Sequence, residues 1–187
     1  MKMTESLLME MPLLILGKVA DHFEKRYPRI VFEVFAGALI YIYFVNNIYI
    51  NQGIIMLPDD WFGFDGEDLY GFYEGLGSTL QKAYMRTAMI DFFIIMPLYF
   101  TVLGSWLYHI AFKTKHDKKL SLLFAIAVIG DLFETFVLQQ ACLVHPDRLS
   151  NSLIALGSLG QKVKWISVGI GLLLTLYFHA FAKIKHT

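Results

Sequence analysis

A single cysteine in 187 residues, Cys142, leaves this chain without an intrachain disulfide, a CxxC pair or a cysteine-based zinc or iron–sulfur centre. Charge is scarce as well: 17% of residues are Asp, Glu, Lys or Arg, where soluble domains carry about 25%. Basic and acidic residues balance at 16 each, and neither a basic stripe nor an aromatic RNA-binding motif appears, which excludes nucleic acid as a partner. HExxH, GxSxG, phosphate-loop and Gly-rich dinucleotide motifs are all missing. The first apolar stretch, Met11 to Gly17, is short and flanked by Glu10 and Lys18, so it does not read as a signal peptide.

What the chain has in quantity is apolar surface. Hydrophobic residues make up 56%, with 16 Phe, 10 Tyr and 3 Trp, and the mean hydropathy is +0.52. Four segments reach the roughly 20 apolar residues that a bilayer crossing needs: 30–56, 84–112, 120–144 and 163–184. A soluble bundle would need a polar face on each helix, and FFIIMPLYFTVLG and ISVGIGLLLTLYF have none. The expected fold is therefore all-α: one integral membrane domain over 1–187, with four transmembrane helices running up-down-up-down.

Lys2, Lys18, Lys25, Arg26, Arg29, Lys113, Lys115, Lys118, Lys119, Lys183 and Lys185 would fall on one side of the membrane. Only Lys82, Arg86, Arg148, Lys162 and Lys164 would fall on the other. The positive-inside rule then puts both termini in the cytoplasm. Residues 4–27 carry apolar positions at helical spacing between charges, which predicts an amphipathic helix in the cytoplasmic interface, or else one packed on the bundle. The segment 57–83 combines acids with Trp61, Phe62, Phe64, Tyr70, Phe72 and Tyr73 and includes a short helix at about 67–81. Such aromatics suit an interfacial belt, with a lid over a pocket as the alternative.

Asp131 and Glu134 stand inside the third apolar run, where a carboxylate costs several kcal/mol unless paired, protonated or wetted. Helical phase places Asp131, Glu134, Thr135, Leu138, Cys142 and His145 on one stripe. Asp91, Leu98, Val102, Ser105 and His109 form a second, and Glu33, Ile40, Tyr43, Asn47 and Asn51 a third. These stripes should face the interior, since lipid offers them no hydrogen-bond partners. Their polar groups gather in the outer half, which predicts a cavity open to the outside. Asp91, Asp131, Glu134, Asn47 and Asn51 are its candidate ligand-binding residues. Arg86 falls opposite Asp91, and Lys162 and Lys164 are expected at the outer mouth of the fourth span, able to reach inward. Pro97 should bend the second span, and Gly37, Gly169 and Gly171 permit close helix approach. His109 and His179, near the inner ends of their spans, are the only pair placed to hold a haem, and solvated histidines are the simpler reading.

DFFIIMPLY, 91–99, and GDLFETFVL, 130–138, resemble two blocks of small bacterial four-span inner-membrane proteins. In those the second block reads Asp-Leu-x-Glu-Asn; here Thr135 replaces the Asn. The resemblance implies a bacterial inner-membrane location and draws attention to the same three acids, but carries no activity.

Three functions fit these residues. In the first, the acidic cavity binds a cationic or amphiphilic ligand for transport or sensing; four spans are few for a transporter, so a homodimer among membrane lipids is expected. In the second, an intramembrane enzyme acts on a lipid or isoprenoid, using a carboxyl as general acid. A divalent cation held by Asp91, Asp131 and Glu134 is a variant of this, with Mg²⁺ or Ca²⁺ suiting an all-carboxylate set better than Zn²⁺. In the third, the protein is a structural subunit whose polar groups join helices.

Overall fold

The structure, a computed structural model, describes residues 2–23, 37, 57–58 and 61–184. The expected first span, 30–56, with Asn47 and Asn51, lies outside the described residues, as do Asp59 and Asp60. The described residues are mostly helical, without strands. The helices are α1 (Lys2–Phe23), α2 (Gly66–Ile90), α3 (Met96–Lys113), α4 (Leu122–Val144) and α5 (Asn151–Ile184). A π turn, Asp91–Ile95, joins α2 to α3, and a 3₁₀ turn, Lys118–Ser121, leads into α4. Three stretches are long and apolar enough to cross a membrane: Leu80–Lys113, Lys118–Val144 and Asn151–Ala180.

The helix ends follow from local chemistry. Asp65 caps α2 with an extended backbone, its side chain accepting from the Asp68 amide at 2.9 Å, and Glu67 and Asp68 sit at the positive end of the helix dipole. Gly77 breaks the same helix. Its φ of 64° and ψ of 164° are open to glycine and strained for other residues, so the chain before it runs in a separate direction. The π turn has a cause in Pro97, which has no N–H for the Phe93 carbonyl and whose ring would crowd it. The Met96 amide instead reaches back five residues to the Asp91 carbonyl. The bend expected at Pro97 thus takes the form of one wide turn just before it.

Two apolar clusters hold the bundle. At one end Leu69, Tyr70, Tyr73, Leu76 and Tyr84 of α2 pack on Val137, Leu138, Ala141 and Cys142 of α4 and Ile154 of α5. Tyr73 Oη donates to the Leu138 carbonyl at 2.8 Å, and Tyr70 Oη accepts from the Leu149 amide at 2.6 Å. Phe64, Tyr70 and Tyr73 are buried, so these aromatics are core rather than the interfacial belt expected from their composition. The pair Arg148–Glu67, at 2.6 Å, lies on the surface at this end.

At the other end, which carries Lys113, Lys115, Lys118 and Lys119, Leu103, Leu107, Ile110 and Ala111 of α3 meet Phe124 of α4 and Phe178 of α5. Here α1 packs on α3, with Leu16 and Ala20 buried against it. A Cβ added to Gly104 would stand 3.0 Å from Leu16 Cδ2, so glycine sets the closeness of this contact. Packing on the bundle, the alternative posture for the N-terminal helix, is thus the one seen.

One span differs from its expected bounds. The last helix starts at Asn151, well before the expected start at 163, and its membrane-length stretch runs to Ala180. Within NSLIALGSLGQKVK, Gln161 and Lys164 turn toward α4 and find partners there, while Asn151, Ser152 and Lys162 are exposed.

Candidate functional site

Asp131 stands midway along the Lys118–Val144 stretch, and Glu134 follows one turn later. Both are buried, at 2% and 0% exposure, as the phase of α4 predicts, and Thr135, Leu138 and Cys142 are buried with them. His145, the last of that stripe, caps the helix and is only half-buried.

Lys164 of α5 bridges the pair. Its Nζ lies 3.0 Å from Asp131 Oδ1 and 2.6 Å from Glu134 Oε2. Of the two lysines named as able to reach inward, Lys164 is the one that does: its side chain is only 10% exposed. Lys162, two residues earlier, is exposed.

Gln161, one turn before Lys164, completes the shell. Its Nε2 donates to Glu134 Oε1 at 2.9 Å and to the Pro58 carbonyl at 2.5 Å, while its Oε1 accepts from the Gly63 amide at 2.7 Å. Ser158, a further turn away, accepts from the Phe64 amide at 3.0 Å. The segment before α2 is therefore hydrogen-bonded to α5 beside the ion pair. On the opposite side of Asp131, Tyr99 Oη of α3 donates to Oδ2 at 3.0 Å. Each Asp131 oxygen thus has its own partner, on a different helix.

Glycine makes the geometry attainable. A Cβ on Gly130 would lie 2.5 Å from the Gly160 carbonyl oxygen and 2.9 Å from the Lys164 amide nitrogen. A Cβ on Gly160 would lie 2.6 Å from the Gly130 carbonyl oxygen. The backbones of α4 and α5 touch here, which brings Gln161 and Lys164 within reach of acids one turn away. Gly171 also packs closely, on Phe124, whereas Gly169 faces open space.

Asp91 is placed differently. It opens the π turn, is half-buried, and lies near enough for its charge to act on the Tyr99 hydroxyl. The extra residue in that turn shifts the phase of everything before it, so Asp91 does not share a straight stripe with Leu98, Val102, Ser105 and His109. Among the described residues no three His, Cys, Asp or Glu groups come together to hold a metal, and the Lys164 ammonium lies between Asp131 and Glu134. Thr135 Oγ1, buried beside the cluster, makes no hydrogen bond to the described residues.

Two members were missed by sequence reasoning, Gln161 and Tyr99, and Lys164 was named only together with Lys162 as able to reach inward. Gly157, Gly160, Gln161, Lys164, Ser167 and Gly171 recur at three- and four-residue spacing, a small-and-polar stripe that marks a helix-facing surface. Tyr99 closes the DFFIIMPLY block.

The Tyr99→Phe variant removes one hydroxyl and little volume. It should lower unfolding stability in detergent by about 1–2 kcal/mol, the range for a buried hydrogen bond to a charged acceptor within a membrane protein. An unchanged unfolding midpoint would show that the bond contributes nothing.

Chemically, among the described residues the cluster is two carboxylates sharing one ammonium at the midpoint of membrane-length helices. Comparison of the chain with protein-family models, with curated proteins and with solved structures finds no match.

Proposed function

We propose that this integral membrane protein binds a cationic amphiphile at the Asp131–Glu134–Lys164 cluster, with Lys164 as the resident cation that the ligand displaces. The observation that carries this reading is the sharing of one ammonium by two buried carboxylates. Carboxylates at this depth call for positive charge, and lipid cannot supply it. The Thr135 hydroxyl, which makes no hydrogen bond to the described residues, offers a ligand one more polar contact. Asp91, at the edge of the group, would attract a cation on its way in. The lysine-rich end lies in the cytoplasm by the positive-inside rule, the chain crosses four times with 30–56 as its first span, and Asn47 and Asn51 are proposed to join the site from there. Transport or sensing is the purpose, in a homodimer.

A second reading has its own support. The ion pair sits where Gly130 and Gly160 bring two backbones into contact, as a lock between helices would. In this case the chain is a structural subunit and the charges confer specificity on helix pairing.

Titration of the purified protein with tetraphenylphosphonium separates the two. The binding reading expects measurable affinity by calorimetry, a loss of at least about tenfold in Glu134→Gln and Asp131→Asn, and retention in Arg86→Gln. If the same variants lose thermal stability while the cation binds unchanged, or if the protein takes up none, the structural reading stands and the binding site is withdrawn.

A further inference from the structure

We infer that the lysine-rich corner where α1 crosses α3 is a docking site for an anionic phospholipid, distinct from the ion-pair cluster and independent of its role. Three elements meet at Tyr108. A Cβ on Gly17 of α1 would lie 3.1 Å from Tyr108 Oη, so the two side by side bring the next residue, Lys18, to this corner. Lys118, in the 3₁₀ turn before α4, holds its Nζ 5.6 Å from the centre of the Tyr108 ring. Lys18 and Lys118 are both exposed, and Lys115 and Lys119 are exposed in the adjoining turn.

Apolar surface continues directly from this basic corner. Met11, Leu14 and Ile15 on α1 are 59%, 59% and 42% exposed, and Phe112 at the end of α3 is 69% exposed. Leu16 packs on Gly104, nine residues before Lys113, which places this crossing about 14 Å inward from the basic turn at 1.5 Å per residue. Gly17, next to Lys18 in the chain, and Lys118 both lie against the Tyr108 side chain, so the basic corner and the apolar strip of α1 adjoin.

That combination recognises one chemistry: a phosphate-bearing anionic headgroup with acyl chains attached. The lysines and the Tyr108 hydroxyl supply positive charge and a donor, and α1 supplies a wall for the chains. The acids at this corner do not cancel it. Two carboxylates, Asp117, whose Oδ1 accepts from the Lys119 amide at 2.9 Å, and Asp21, one turn beyond Lys18, stand against the four lysines Lys18, Lys115, Lys118 and Lys119 and leave the corner basic. A zwitterionic lipid offers the same chains without the net charge.

The test is thermal unfolding of the full chain in a neutral detergent, titrated with dioleoyl phosphatidylglycerol, dioleoyl phosphatidylcholine or inorganic phosphate. Phosphatidylglycerol should raise the midpoint saturably, and the other two should not. The double variant Lys18→Gln, Lys118→Gln should weaken the phosphatidylglycerol effect by about tenfold or more, as loss of two near-membrane charges implies. Lys82→Gln, at the other end of the molecule, should leave it unchanged. Equal stabilisation by phosphatidylcholine would overturn the headgroup assignment, and equal stabilisation by inorganic phosphate would overturn the lipid. A double variant that responds like the parent would remove the site from this corner.

Discussion

Lys164→Met should be the most destabilising single substitution in the protein, lowering unfolding stability by about 3–5 kcal/mol. The side chain it replaces is of similar length, so lost packing is small. The damage comes from two carboxylates left buried side by side, Asp131 and Glu134, without the ammonium that lay 3.0 and 2.6 Å from them. Coulomb repulsion and desolvation then act together. A second variant shows whether charge is the cause. Adding Glu134→Gln and Asp131→Asn to Lys164→Met restores neutrality with little change of shape, and should recover most of the loss. Unfolding in mild detergent, followed by tryptophan fluorescence, gives both numbers. A triple variant no more stable than Lys164→Met alone would mean that the ammonium acts by packing.

Gly130→Leu should come next, with a failure of α4 and α5 to pair. Even a single added carbon at this position would stand 2.5 Å from the Gly160 carbonyl oxygen, with backbone rather than a flexible side chain in the way. Relief needs the helices to separate, which would also draw Lys164 away from its acids. Overpacking in a close-packed core typically costs about 1–3 kcal/mol, and here the loss of the ion pair adds to it. Gly169→Leu on the same pair of helices is the control, because a Cβ there meets nothing within 4 Å. Size-exclusion profiles and unfolding midpoints compare the two. Equal behaviour would show that the contact at Gly130 is not tight.

These two substitutions mark how far the amino-acid sequence could be read. The buried acids were legible because an apolar run makes any carboxylate conspicuous, and the phase of α4 gave their common face. Their counter-ion was legible only as one of two lysines, Lys162 and Lys164, at the start of the expected fourth span. Hydropathy treats each residue alone, whereas the burial of Lys164 depends on Asp131 and Glu134 of another helix. A small-and-polar stripe at helical spacing was the available signal, and only the pairing of glycines across two helices gives it meaning. The N-terminal helix shows a similar limit. Its alternation of apolar and charged positions fits both a membrane surface and a neighbouring helix, and the choice was made by Gly104, which accepts Leu16 at close range. Of the aromatics in 57–83, Tyr70 and Tyr73 of α2 are core rather than belt, because composition does not say that they have backbone partners inside the bundle.

The wide turn at Asp91–Ile95 rotates one half of its helix against the other. An α-helix advances about 100° per residue, so inserting one extra position rotates everything before it by roughly that angle. Leu80–Lys113 is in effect one rod carrying two separately aimed surfaces: Tyr84 and Ala88 aim at one set of neighbours, Leu103 and Leu107 at another. Straightening the rod by deleting one residue would leave its length almost unchanged and turn Tyr84 out of the core. The turn is the device by which a single helix serves two differently oriented halves of the bundle, and Asp91, as its first residue, sits at the joint between them.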